Sequence, residues 1–585
     1  MYANAQPLSP LRFIERSAEV FPQREAIVYG DQSWTYQEFE RDVRRFATAL
    51  LPHLPSASAS NDDAAASGDV AGTGGSGGAA ASHEDPAQGE AESGEYLGAE
   101  QLTRSLPTVA VIAPNLPALL LAHYAVPAAG AVLVPLNPRL STRELDYILE
   151  HSEASVVIAD SSVLDTVISA LDGKEGITLV QLPDEQAGIE PVRDHSYGEI
   201  PTFDEFIDVE PLEVGDAASS SGERGVSYKV ADENSPITLN YTSGTTGRPK
   251  GVLYGHRGAY LNSLGEVFHN GFDGATRYLW TLPMFHCNGW CTTWAVTAAG
   301  GTHVCLRAVR PDAIWDAFDN QGITHLCGAP AVCSIIVDAD EAHALDKPIR
   351  ITTAGAPPAP SIIERLEDAG FGIVHVYGLT EVFGPITICE PQEEWKELSP
   401  RERAQQMSRQ GVGMVQAESA RIVDTEMNDV PADGETLGEV VLRGNNVMIG
   451  YYKDTEATET AFFGGWFHTG DLGVMHPNGY ILLRDRAKDI IISGGENISS
   501  IEVEQALYSH PEVLDVAVIG VPHEKWGERP VAHVVRSAGS SVTAEELREH
   551  VRERLSGFKV PDTVTFSDEL PRTATGKVRK NLLRE

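Results

Sequence analysis

Lysine is scarce in this chain: 11 in 585 residues, against 33 arginines and 84 aspartates and glutamates. The net charge of −40 excludes a protein that grips nucleic acid through its phosphates, because such a field repels a polyanion. Cysteine is also sparse. The six present, Cys287, Cys291, Cys305, Cys327, Cys333 and Cys389, form no C-x-x-C pairs and lack the density of a secreted scaffold, which excludes a paired-cysteine zinc site and a disulfide framework and leaves reduced, buried thiols. The opening Met1-Tyr-Ala-Asn-Ala-Gln-Pro has no basic segment followed by an apolar one, so the expectation is a cytoplasmic protein. Long apolar runs are missing too. Leu116 to Leu136 carries no formal charge but contains Pro117, Pro127, Pro135 and His123, and a buried helix followed by a short strand explains it better than a membrane span.

What is present is ample core material. With 42% hydrophobic residues in 585, the chain exceeds a single core of about 100–150 residues and predicts at least two packed units. The acidic, lysine-poor composition predicts a protein adapted to concentrated salt, where the Debye length falls to about 3 Å at 1 M and carboxylate repulsion is screened; an ordinary acidic cytosolic protein is the alternative. Residues 55–100 hold nine carboxylates and no Lys or Arg and read as a disordered surface insertion. Most of the excess charge therefore belongs to the folded body.

Residues 184–235 read as a second loose acidic stretch. Beyond it, apolar runs such as Ile351-Thr-Thr-Ala and Gly372-Ile-Val-His-Val alternate with helical patterns such as Ser361 to Ala369, predicting βα units. The last hundred residues read as a separate small α+β unit: a helix over Ile498 to Tyr508, strands over Val513 to Val521 and Val531 to Val535, and a capping box at Thr543-Ala-Glu-Glu546. The tail after Pro571 is polar and basic and is expected to be mobile.

The densest chemical signal is Tyr241-Thr-Ser-Gly-Thr-Thr-Gly-Arg-Pro-Lys-Gly-Val252, placed after a strand-like run from Pro236. Small residues let backbone approach a polyphosphate, hydroxyls and N–H groups donate to its oxygens, and Lys250 adds a point charge. Arg248-Pro249 stands between the last glycine and the lysine, so this is not the loop of a P-loop NTPase.

Further motifs follow in order: Ala354-Gly-Ala-Pro-Pro358, Tyr377-Gly-Leu-Thr-Glu381, Thr469-Gly-Asp471, Asp485-Arg486-Ala-Lys488, Ile492-Ser-Gly-Gly-Glu-Asn-Ile498 and Pro571-Arg-Thr-Ala-Thr-Gly-Lys577. With these the sequence resembles the AMP-forming adenylating enzymes, the superfamily of acyl-CoA synthetases, peptide-synthetase adenylation domains and beetle luciferases. The resemblance covers nearly the whole chain except 55–100. It implies an α/β fold with a large N-terminal adenylate-forming domain of layered βα sheets (1–484), a hinge (485–488) at Lys488, and a small mobile α+β C-terminal domain (489–585).

The resemblance also implies roles for residues. Thr242, Ser243, Gly244, Thr245, Thr246, Gly247 and Lys250 hold the ATP phosphates. Gly355, Ala356, Pro357 and Gly378 line the nucleotide, Tyr377 stacks on adenine, and His375 reaches its N6 where relatives often carry Asn or Gln; a core histidine is the other reading. Asp471 and Arg486 take the ribose, Thr380 the α-phosphate, Glu381 a Mg²⁺, and Lys577 the reacting carboxylate and α-phosphate together. His286 gates the acid, Trp290 and Trp294 wall an apolar acyl pocket if they share a helix, and Gly494, Gly495 and Trp526 border the CoA path.

The partners implied are ATP, Mg²⁺, CoA and a small carboxylate. Residues 283–305 look most like ligases for short- to medium-chain fatty acids and methylthiopropionate. The chemistry follows: a carboxylate is a poor electrophile until joined to the α-phosphate of ATP, after which a thiol displaces AMP. Two alternatives stand beside this reading: an adenylating enzyme that loads a carrier protein, and a silent nucleotide-binding scaffold. Oligomeric state is not legible.

Overall fold

A computed structural model describes residues 5–55, 102–193, 195, 197–215, 225–242, 248–355, 358, 360–494, 496–523, 525–537, 539–572 and 578–584. The expected insertion at 55–100 lies almost wholly outside the described residues.

Two large sheets organise the chain up to Arg486. One runs Gly450–Tyr451, Lys250–Gly255, Pro236–Thr242, Val132–Leu136, Thr108–Ile112, Ala154–Asp160, Thr178–Leu182 in spatial order. Its middle strands are parallel and buried along their length, as continuous Val/Leu/Ile runs require when both faces are covered. The other large sheet runs Val412–Gly413, Gly384–Ile388, Phe371–Leu379, Ile349–Thr353, His325–Gly328, Arg277–Leu279, Thr302–Val304, Glu25–Tyr29, Gln32–Thr35. One core joins the facing sides of both sheets through the helices Leu11–Val20, Tyr36–Leu50, Pro117–Ala128 and Thr292–Ala299, and separate cores cover each outer face. The result is a layered α/β domain, the fold class the sequence predicts. Pro117–Ala128 and Val132–Leu136 are the buried helix and strand expected of the uncharged stretch.

A third sheet, Arg421–Val423, Gly438–Leu442, Phe467–Met475, Ile481–Arg486, leads to the C-terminal unit. That unit pairs Glu496–Ile498, Ile491–Ser493, Gly527–Arg536, Val513–His523 and Thr563–Phe566, packed on the helices Ser500–Tyr508 and Ala544–Arg552 around a core of its own. The latter helix opens on the expected capping box, Thr543 with Glu546. Thr35 with Glu38, Ser141 with Glu144, and Ser399 with Glu402 repeat the device. Part of the acidic excess is thus spent satisfying helix N-termini.

Two expectations change. The 184–235 stretch has little regular structure, yet Phe203, Val226 and Tyr228 are buried and the Gln181 amide donates to the carbonyls of Val192 and Ile200. The described part of the tail is anchored rather than loose. Lys580 reaches Ser500 Oγ at 2.6 Å and Glu504 at 2.8 Å, and Arg584 reaches Asp489 at 2.8 Å. Buried acidic partners on the C-terminal unit capture basic side chains that composition alone assigns to solvent.

Candidate active site

The glycine-rich loop is the connection of an antiparallel hairpin, with Thr242 opposite Lys250. Residues 243–247, the body of the expected phosphate loop, lie outside the described residues, as do Ala356, Pro357, Gly495 and Lys577. Lys250 is half-buried, its Nζ 4.4 Å from the centroid of the Tyr451 ring and 3.8 Å from Asp454. Tyr451 belongs to the strand Gly450–Tyr451 paired to the hairpin's second strand, and its hydroxyl donates to Glu381 Oε1 at 3.0 Å. A single tyrosine thus joins the lysine of the phosphate loop to the carboxylate of the Tyr377-Gly-Leu-Thr-Glu381 motif.

Thr380 and Glu381 sit on a tight turn after the strand Phe371–Leu379. Gly378 is dictated by close approach: a Cβ there would lie 1.7 Å from the Gly384 carbonyl oxygen. Tyr254 donates its hydroxyl to the Thr380 carbonyl at 2.5 Å, and its ring stacks on Phe383 at 3.7 Å. Glu381 is half-buried, with one carboxylate oxygen on Tyr451. No cluster of three His, Cys, Asp or Glu suited to a metal occurs among the described residues. The donor set fits a Mg²⁺ that takes one protein carboxylate and completes its shell with phosphate oxygens and water.

Tyr377 and Asp471 meet across two sheets: the buried phenol donates to Asp471 Oδ2 at 2.7 Å. Burial and then the Asp471 charge push the phenol's pKa far up, so it remains a donor at any ordinary pH. Asp471 faces Arg486 in the antiparallel register, with Arg486 Nε 3.4 Å away. The Thr469 hydroxyl, which donates to the Val440 carbonyl at 2.7 Å, accepts the Asp471 N–H at 3.0 Å. The Thr-Gly-Asp motif is thereby locked, with the exposed Arg486 at its mouth.

His375 is a neutral core histidine. Its Nδ1 lies 2.9 Å from the Arg409 carbonyl, and burial lowers its pKa to about 4. The strand that aims Tyr377 at Asp471 aims this ring at the segment beneath.

In the segment expected to form the acyl pocket, His286 is half-buried, and the Cys287 Sγ lies 3.8 Å from its Nε2 and 3.6 Å from Thr380 Oγ1. Trp290 and Trp294 do not share a helical turn. Residues 287 to 291 all have φ between +48° and +62°, a left-handed turn, and the helix Thr292–Ala299 starts only after it. The strain is held by side chains: Thr238 donates to Asn288 Oδ1 at 3.0 Å and Thr292 to the Gly289 carbonyl at 2.6 Å. Trp290 lies against Gly384, where a Cβ would come within 2.9 Å of its ring. Trp294 is fully buried, with its indole N–H on the His123 carbonyl at 3.2 Å. The spacing of four signals a helical face only where φ is negative, and here it is not.

In the C-terminal unit Gly494 and Trp526 are brought together. The Gly494 N–H donates to the Trp526 carbonyl at 2.7 Å, its φ is +63°, and a Cβ would press on the indole at 2.9 Å. Trp526 is 43% exposed, with Lys525 Nζ 4.6 Å from its ring. Lys488 is exposed on the turn between the last strand of the third sheet and the C-terminal sheet. Sequence reasoning misses Tyr254 and Tyr451, which lie outside the quoted motifs; a tyrosine two positions beyond the glycine-rich motif, inside its return strand, carries no signal of its own.

Comparison with known proteins identifies the family. The AMP-binding enzyme family matches residues 96–452, and the AMP-binding enzyme C-terminal domain matches 502–577. The acetate–CoA ligase CCL3 of Humulus lupulus is 40% identical over all of this chain and 95% of its own. The peroxisomal acetate/butyrate–CoA ligase AAE7 of Arabidopsis thaliana is 37% identical over all of this chain and 95% of its own. Among solved structures, an anthranilate CoA ligase in complex with anthranoyl-AMP superposes with a TM-score of 0.77 at 21% identity, over 99% of this chain and 97% of that one. ATP-bound MatB from Rhodopseudomonas palustris gives 0.73 at 24%, over 98% of both chains; these two establish the fold. The chain belongs to the AMP-binding enzymes, in their superfamily of AMP-forming acyl-CoA ligases.

Proposed function

We propose that this enzyme joins a short aliphatic carboxylate to CoA through an acyl-adenylate. The observation that carries the reading is the convergence of Lys250, Tyr451 and Glu381 beside Thr380, with Asp471 and Arg486 tied to the same motif through Tyr377. In the first step a carboxylate oxygen bonds to the α-phosphorus of ATP and pyrophosphate leaves. Lys250 and the loop residues 242–247 hold the phosphates, Thr380 contacts the α-phosphate, and Asp471 and Arg486 hold the ribose. Lys577 bridges the carboxylate and α-phosphate, a task suited to a flexible point charge. Glu381 would hold a Mg²⁺, which when bound would supply charge neutralisation at the phosphates.

In the second step the CoA sulfur bonds to the acyl carbon, AMP leaves, and the thiol proton is lost to solvent. Reorientation of residues 489–585 about Lys488 removes Lys577 and brings Gly494, Gly495 and Trp526 to the pantetheine path. Relatives named for acetate, butyrate and 2-methylpropanoate support a short acid, as does the bulk of Trp290 packed against Gly384. The compartment is likewise a proposal: six buried free thiols suit a reducing interior such as the cytoplasm, while several relatives are named as peroxisomal. Among the described residues no helix is long and apolar enough to cross a membrane.

The test is kcat/KM with Mg-ATP and CoA over acids from acetate to palmitate plus benzoate. A maximum at two to four carbons is expected; one methylene in an apolar pocket is worth about 1–3 kcal/mol. A maximum at long chains or at benzoate overturns the assignment of the acid.

A further inference from the structure

The turn carrying Thr380 and Glu381 has its carbonyls captured in succession by buried donors from three other parts of the chain. Tyr254 Oη donates to the Thr380 carbonyl at 2.5 Å and the Met448 N–H to that of Glu381 at 2.9 Å. Asn446 Nδ2 donates to the Val382 carbonyl at 2.9 Å and also to the Pro385 carbonyl at 3.1 Å. Asn262 Nδ2 takes the Phe383 carbonyl at 3.0 Å, while its Oδ1 accepts from Gln416 Nε2 at 2.9 Å. Phe383 itself sits at φ +62°, a conformation that a bulky residue keeps only when its surroundings over-determine it.

Asn446 is the residue whose placement has no explanation in packing alone. It is fully buried, and among the described residues its Oδ1 has no hydrogen-bond partner. An orphaned buried acceptor destabilises a fold, and turning the amide over would set that oxygen against two carbonyls instead. The orientation is therefore fixed by the need for a two-pronged donor at the turn. Gly444 makes room for it: a Cβ at 444 would lie 2.9 Å from Asn446 Oδ1. The next residues bind on either side, with the Met448 N–H on Glu381 and the Ile449 N–H on the Leu253 carbonyl at 2.8 Å. The segment 445–449 is thus a strap running from the phosphate hairpin across the back of the catalytic turn.

We propose that Asn446 is a positioning residue for adenylation: by clamping the peptides on both sides of the left-handed Phe383 it sets where the Glu381 carboxylate and the Thr380 hydroxyl meet the nucleotide. The inference rests on the roles proposed above for Glu381 and Thr380. Loss of the clamp loosens a group needed in the first half-reaction, whereas thioester formation from a preformed adenylate needs neither metal nor pyrophosphate departure.

The experiment compares wild type, Asn446→Asp, Asn446→Ala, Gly444→Ala and Glu381→Gln in the full chain. Asp keeps the shape of the side chain and removes the donor; Gly444→Ala leaves every donor present and crowds the amide. Measured are carboxylate-dependent ATP–pyrophosphate exchange against Mg²⁺ concentration, CoA thioester formation from supplied acetyl-adenylate, and the unfolding midpoint. Asn446→Asp is expected to lower exchange at least 30-fold and to raise the half-saturating Mg²⁺ several-fold, with thioester formation kept within about threefold; Gly444→Ala shifts the same two quantities in the same direction. Exchange unchanged in Asn446→Asp while Glu381→Gln is inactive overturns the inference alone. So does a parallel fall of both half-reactions with the unfolding midpoint, which is what a purely structural asparagine gives. Full exchange in Glu381→Gln overturns the underlying assignment of Glu381 instead.

Discussion

Tyr451 donates its hydroxyl to Glu381 Oε1 at 3.0 Å while Lys250 lies over the face of its ring. In the proposed reaction the phenol orients the Glu381 carboxylate toward the phosphates, and the ring steers the Lys250 cation that would meet them. Tyr451→Phe keeps the ring and removes the donor. A hydrogen bond to a charged group is worth about 1.5–3 kcal/mol, so kcat/KM for adenylation is expected to fall roughly 10- to 100-fold, read by pyrophosphate exchange. Thioester formation from supplied acyl-adenylate stays near wild type; an equal loss in both contradicts the assignment.

Tyr377→Phe removes the only phenol on the buried Asp471 carboxylate in the described structure. The expected loss of stability is about 1–3 kcal/mol, measured by urea denaturation, together with a raised KM for ATP. Because burial and the Asp471 charge hold the phenol protonated, the difference between variant and wild type is expected to be the same at pH 6 and pH 9. A difference that vanishes at high pH contradicts it.

Glu266 faces the core from the helix His256–Asn270, with Oε2 accepting from Asn270 Nδ2 at 2.7 Å and Oε1 without a partner among the described residues. Burial raises its pKa to about 8. The folded state therefore holds a proton that the unfolded chain releases near its ordinary value of about 4.3, and this group makes stability fall as pH rises from there to about 8, then level off. Glu266→Gln removes the titration. Its unfolding midpoint relative to wild type is expected to climb between pH 5 and pH 8; a constant difference contradicts the shift.

The charge of −40 is carried mostly by the folded body, so screening is expected to stabilise it. Thermal unfolding in 0.05 M and 2 M KCl measures this. A midpoint that rises by several degrees agrees with adaptation to salt, and equal midpoints sink that reading.

Where sequence is informative here, it is so through local chemistry. The capping box at Thr543 and Glu546 satisfies its own helix, and the uncharged run at 116–136 can bury itself only as helix and strand; both are legible without tertiary knowledge. Tyr451, Tyr254 and Asn446 are not, because each acts on a turn more than sixty residues away in sequence. Trp290 and Trp294 mislead for the opposite reason: their spacing is helical, but a left-handed turn fixed by Thr238 and Thr292 overrides it. His375, expected either at adenine N6 or in the core, has its ring nitrogen on the Arg409 carbonyl, a partner outside the motif that its sequence position does not signal.

The central claim is that ATP cleavage to AMP and thioester formation on CoA are one reaction of this protein. Acetate or butyrate, Mg-ATP and CoA are incubated with the enzyme in molar KCl, and AMP, pyrophosphate and acyl-CoA are quantified together. Equal amounts of all three are expected, with none when the acid is left out. AMP without acyl-CoA, or ADP in place of AMP, would contradict the account.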